Sequence, residues 1–190
     1  MKIAYLGWGS LIWNPDGLPI RGVWHDDGPV VPLEFARESS GQRLTLVIVD
    51  EANPVRALWC LADVNTVDEG TRRLAEREGI GSANIKHSIG FWRADSGASH
   101  GRSASEISAW GAEKRLDAVL WTNLKFGLEA NRDVMPTYDA ALAHLKSLPP
   151  ERSKVAEVYI RRAPKQVDTD FRRGFERDLG WSFKQGADET

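Results

Sequence analysis

Apolar positions along the chain change period several times, and each change marks an element. Residues 3–8 form a short apolar run, which predicts a buried strand that runs into Gly7-Trp8-Gly9-Ser10. Asn14-Pro15-Asp16-Gly17 is a strong turn signal, and residues 18–29 carry no clear period and read as irregular. Three strands are predicted next, at 30–39, 44–49 and 55–62, with turns at Ser40-Gly41 and Asn53-Pro54. In the third, Val55, Ala57, Trp59 and Leu61 share one face. The short connections imply an antiparallel meander, with Pro32 at an edge or a bulge.

The period then lengthens. A helix is predicted over 67–78, capped by Thr66 with Glu69 completing a capping box and stopped by Gly79. Residues 80–101 resist assignment, and the tip 94–101 is small, polar and expected to be mobile. Ser103-Ala104-Ser105-Glu106 reads as a second capping box, opening a helix to about residue 114. A buried strand follows at 118–122. Helices are predicted at 137–147, from Pro149-Pro150 to about 160, and after a cap at Asp168 or Thr169. The last carries the stripe Phe171, Phe175, Leu179, and the tail from Lys184 reads as frayed. Strands and helices do not alternate. The order argues for an α+β fold: a small, mainly antiparallel β-barrel or curved sheet flanked by helices, in one domain over 1–190.

Composition narrows the function. A net charge of −2, with no long basic block, gives no reason to expect nucleic acid as a partner. No apolar run approaches the roughly 20 residues of a membrane span, so no membrane partner is expected and a cytoplasmic location follows as the default. The single cysteine, Cys60, lies in an apolar run and reads as a core residue. The four histidines make no metal-type spacing. His25-Asp26-Asp27 reads as a polar loop, so no metal and no cofactor is expected. Most of the eight tryptophans read as aromatic packing.

Two places carry possible chemistry. The first is Gly7-Trp8-Gly9-Ser10-Leu11-Ile12-Trp13. Closely spaced glycines at a strand end expose backbone N–H groups that can hold a carboxylate or an oxyanion. A dinucleotide fingerprint would need glycine at position 12 and a helix directly after it. A nucleophile elbow on Ser10 would need glycine at 8 and 12. Neither fits, and a plain tight turn stays open as a reading. The second is Glu78. On a wheel of about 100° per residue it lines up with Val67 and Leu74, while Asp68, Arg72, Arg73, Glu76 and Arg77 point elsewhere. A carboxylate directed inward has its pKa raised, which suits it to move protons near neutral pH. The alternative is a side chain that swings into solvent or pairs with an arginine such as Arg37.

Taken together, Leu6-Gly7-Trp8-Gly9-Ser10-Leu11-Ile12-Trp13-Asn14-Pro15 and Leu74-Ala75-Glu76-Arg77-Glu78-Gly79 resemble the motif loop and catalytic helix end of the γ-glutamylcyclotransferase-like superfamily. The ChaC-like branch is the most similar. The strand-turn-strand segment 35–46 is similar to that branch in layout, and the resemblance covers residues 1–80. It implies a γ-glutamyl small molecule as substrate, bound by Trp8, Gly9, Ser10, Leu11, Ile12 and Trp13, with backbone groups at Gly9, Ser10 and Leu11 central. Glu78 would act as general acid/base in an intramolecular acyl transfer that releases 5-oxoproline without a cofactor. Trp8 stands where the family has tyrosine. A non-catalytic binding protein of the same fold, and an amide hydrolase using Glu78, are the competing expectations.

Overall fold

The computed structural model describes residues 1–183; the tail expected to fray lies outside the described residues. The strands are β1 (Ile3–Gly7), β2 (Ile20–His25), β3 (Val30–Glu38), β4 (Leu44–Ile48), β5 (Pro54–Arg56), β6 (Leu58–Ala62), β7 (Ile89–Arg93), β8 (Ser99–His100) and β9 (Ala118–Thr122). The helices are α1 (Val67–Arg77), α2 (Ile85–Ser88), α3 (Ala104–Glu113), α4 (Tyr138–Ser147), α5 (Pro150–Arg162) and α6 (Asp170–Leu179). No helix among the described residues is long and apolar enough to cross a membrane.

The fold is α+β, and the expected barrel is absent. Among the described residues the strands form two separate sheets, one ordered β2-β6-β1-β9-β7-β8 and one ordered β4-β3-β5. The predicted strand 55–62 is divided between them. Ala57 leaves both ladders and donates its N–H to the Pro29 carbonyl, so β5 pairs with β3 while β6 pairs with β1 and β2. That break leaves the sheets facing each other instead of closing on one another. Among the named strands pairing is antiparallel except for β1 with β9; an isolated parallel bridge also joins Arg37 to Gly127.

The meander is also corrected, because β3 lies between its two partners. Its first residues pair with β5 and its later ones with β4. Pro32 sits at that changeover, opposite Pro54, where its missing N–H costs no ladder bond. Residues 20–25 form an edge strand where none was expected. Their side chains are mostly exposed and Gly22 has φ +86°, so no alternation marks them. The unassigned stretch 80–101 holds α2 and the β7–β8 hairpin, whose tip closes through hydrogen bonds between Arg93 and residues 97 and 98.

β1 is buried at every position because both of its faces are covered. Ile3 and Tyr5 pack with Val67, Leu74 and Ala75 of α1; Ala4 and Leu6 pack with Val31, Leu33 and Phe35 of β3. Cys60 is a core residue, and burial pushes its thiol pKa up to about 12. Thr66 caps α1 and Thr169 caps α6 through their side-chain oxygens. The expected cap at Ser103 is not made. Ser103 sits in the left-handed region at φ +55°, whereas side-chain capping needs an extended residue. His25 belongs to a strand and stacks on Trp59, rather than lying in a polar loop. Asp27 is held by Lys114 and the Trp59 indole N–H, which pull its pKa down to about 2.

Candidate functional site

α1 ends in a double backbone closure that aims Glu78. Gly79 N–H bonds the Glu76 carbonyl and Ile80 N–H bonds the Ala75 carbonyl, which is a Schellman motif. It requires the left-handed residue that Gly79 supplies at φ +65°. Ile80 then packs against the cluster that holds Leu74, and Glu78 is fixed at the helix C-cap.

The loop after β1 approaches from the other side. Ile12 N–H bonds Gly9 O and Asn14 N–H bonds Ser10 O. The N–H groups of Gly9, Ser10 and Leu11 make no hydrogen bond among the described residues. Loop and helix end meet in one cavity of about 630 Å³, lined by Trp8, Gly9, Ser10, Leu11 and Glu78 among others. Two of the expected contacts lie elsewhere. Ile12 packs under Gly7, and Trp13 lines a neighbouring cavity of about 480 Å³. Trp8 does reach the first cavity. It is buried, and its indole N–H is spent on the Leu46 carbonyl at 3.2 Å, so it offers a wall and no free donor.

No protein-family model, no curated protein and no solved structure matches the chain. The site must therefore be read from its own geometry.

Glu78 is inward, as the wheel indicated, but it is paired with its neighbour and not with Arg37. Arg77 Nη1 donates to Glu78 Oε1 at 3.0 Å, and Arg77 Nη2 donates to the Asn14 carbonyl at 2.6 Å and Ser10 Oγ at 3.3 Å. The wheel directed Arg77 away from this face. Arg77 is still helical, but a helical projection places only the start of a side chain, and this long one reaches round to the loop after β1. Glu78 Oε2 has no protein donor among the described residues. Burial pushes the Glu78 carboxyl above the ordinary carboxylate range, and Arg77, Arg43 and Arg37 pull it part of the way back.

Three residues of the site were missing from the sequence reading: Arg43, Arg77 and Tyr159. Tyr159, on α5, is buried and faces the loop. A Cβ on Gly9 would collide with its hydroxyl, so Gly9 is required for this close approach. The Tyr159 hydroxyl accepts from Leu46 N at 3.4 Å, and burial raises its pKa to about 12, so it enters any chemistry as a neutral group. Arg43 lies over the Tyr159 ring, 5.1 Å from its centroid. A tyrosine on an amphipathic helix and an arginine after a turn carry no signal of their own. Only tertiary packing puts them here.

The arrangement can bind and work on a small polar molecule. It offers one carboxylate oxygen able to take a proton, unpaired N–H groups able to hold a developing oxyanion, and an excess of guanidinium groups suited to carboxylates.

Proposed function

We propose that the chain is a γ-glutamylcyclotransferase-like enzyme acting on a γ-glutamyl amine or peptide. The observation that carries this reading is the shared cavity: Glu78, with one oxygen unpaired, and Gly9, Ser10 and Leu11, whose N–H groups are unpaired among the described residues, line the same space. Two segments that resemble one family's motifs, far apart in the chain, line that cavity together, which supports the reading.

In the proposed reaction Glu78 Oε2 takes a proton from the substrate's α-ammonium group. The freed amine attacks the γ-carbonyl carbon of the same molecule and closes a five-membered ring. The carbonyl oxygen becomes an oxyanion held by the loop N–H groups. The tetrahedral carbon then expels the leaving amine, which takes up the proton held by Glu78 and the one that the ring nitrogen sheds, so it departs as an ammonium ion and 5-oxoproline remains. Nucleophile and electrophile belong to one molecule, so holding it folded supplies much of the rate. A raised Glu78 pKa brings the base closer to the ammonium it must deprotonate.

The Arg77–Glu78 ion pair favours a second reading, a binding protein whose carboxylate is held for recognition alone. The test is incubation of the pure protein with a panel of γ-glutamyl peptides and amines, detecting 5-oxoproline by mass spectrometry, with Glu78→Gln as control. Product that disappears in the variant is the expected result. Binding without product selects the second reading, and release of free glutamate selects an amide hydrolase.

A further inference from the structure

The two cavities are not independent. Ser10, Arg43, Arg77 and Tyr159 line both of them, so the space around Glu78 continues into the one beside Trp13. A γ-glutamyl group set between Glu78 and the glycine loop would lie in the first cavity with its leaving group free to extend past the shared residues. The second is where the remainder of the molecule would lie.

Its walls are of two kinds. Trp13, Val155 and Val158 are apolar, and both valines are exposed on α5, with Val155 at 51% and Val158 at 43%. Lone exposed valines need no explanation, but these two flank an indole on the wall of a cavity. The charged lining is Arg43, Arg77 and Lys154 against Asp16. Arg77 is committed to Glu78, Ser10 and Asn14. Arg37, which lines only the first cavity, donates to the Lys125 carbonyl at 2.7 Å.

Arg43 differs from both. Its side chain enters no ion pair or hydrogen bond among the described residues, whereas Arg77, whose Nε is likewise buried without a partner, is held through both of its Nη atoms. The Tyr159 ring holds it at the boundary between the cavities. A half-buried guanidinium with one buried, unpaired nitrogen and no acceptor in the protein can take one from a ligand. Its planar fork matches a carboxylate.

We propose that the second cavity is the leaving-group subsite and that Arg43 selects leaving groups carrying a carboxylate beside an apolar body, that is, γ-glutamyl derivatives of apolar α-amino acids. This rests on the reading of the first cavity as a γ-glutamyl site. Arg43 is a specificity residue here, and takes no part in proton transfer.

The test compares γ-glutamyl-leucine with γ-glutamyl-isoamylamine, the same leaving group without its carboxylate. The full chain is expected to favour the acid by about ten- to a hundredfold in kcat/KM, the range of a charge-assisted hydrogen-bonded pair. Arg43→Gln should bring that ratio towards one, and Arg43→Lys should restore part of it. Val158→Asp, at an exposed position that folding tolerates, should lower the same ratio by placing a negative charge in the second cavity. A ratio unchanged in both Arg43→Gln and Val158→Asp would overturn the proposal while leaving the cyclotransferase reading intact. If neither compound is turned over, calorimetry with the same pair decides. A binding preference for the acid that Arg43→Gln removes supports the subsite and ends the reaction reading. Equal affinities overturn the subsite as well.

Discussion

Two carboxylates, Glu34 and Glu78, are both pushed above the ordinary range by burial, yet their surroundings are opposite. Glu34 lies on β3 at the N-terminal end of α6. Oε1 accepts from Phe35 N at 2.8 Å and Thr169 Oγ1 at 2.5 Å, and Oε2 accepts from Phe171 N at 3.1 Å. A negative charge there meets the positive end of the helix. Glu78 lies at the C-terminal end of α1, where the helix dipole opposes its charge. One of its oxygens is held by Arg77 and the other is left open to a cavity. Burial alone therefore does not separate a structural acid from a functional one. What separates them is whether the free valences are filled: Glu34 fastens a helix, and Glu78 keeps one oxygen available.

The sharpest way to break the comparison is to neutralise Glu78. Glu78→Gln should lower turnover of a γ-glutamyl substrate by about 10²–10⁴-fold, the usual worth of a positioned acid/base. The thermal midpoint should stay within a few degrees. A large loss of stability with activity kept would make Glu78 the structural member of the pair.

Glu34→Ala should do the reverse. It leaves the Thr169 hydroxyl and the Phe171 N–H without their acceptor, at a cost of about 2–4 kcal/mol, read as a lowered midpoint in thermal or urea unfolding. The pH dependence has a definite sign. The folded-state pKa of Glu34 is raised, so the folded chain binds the proton more tightly than the unfolded one. Its contribution to stability falls as pH rises from the ordinary carboxylate value through the raised one, and Glu34→Gln should flatten that slope.

Gly9→Ala tests the contact between the two halves of the site. The added methyl must displace the Tyr159 hydroxyl or the loop, with an expected stability loss of about 1–3 kcal/mol. A fall in kcat/KM larger than that loss explains would show that the loop geometry serves catalysis. The smallest effect is expected from Arg77→Gln. Removing the cation nearest Glu78 should move the acidic limb of the pH–rate profile to higher pH, because Arg77 is the leading influence lowering that pKa. A limb that stays in place would mean that another group sets it.

How much of this was legible beforehand follows from the kind of signal each feature leaves. Glu78 could be found because α1 has a clean apolar stripe, and one charged residue on that stripe stands out. The motif loop could be found because glycines at a strand end are local features. The strand break at Ala57 could not: Val55, Ala57, Trp59 and Leu61 all pack on the same core cluster, as their spacing implied, so the pattern continues although the ladder does not. β2 was invisible because an exposed edge strand has no period. Arg77 was misdirected because a wheel fixes where a side chain starts and not where a long one ends. Arg43 and Tyr159 belong to the site only through contacts between distant segments.

The approach of Tyr159 to β4 also has a temporal side. Its bond to Leu46 spans 113 positions, and the Lys2–Asp117 contact beside the parallel β1–β9 pair spans 115. Contacts of such separation close late, after local helices and hairpins have formed. A growing chain thus presents its glycine loop and Glu78 well before α5 is made, with the pocket still lacking one wall. In refolding, recovery of ligand binding should trail recovery of helical signal, and the delay would measure how long α5 takes to dock.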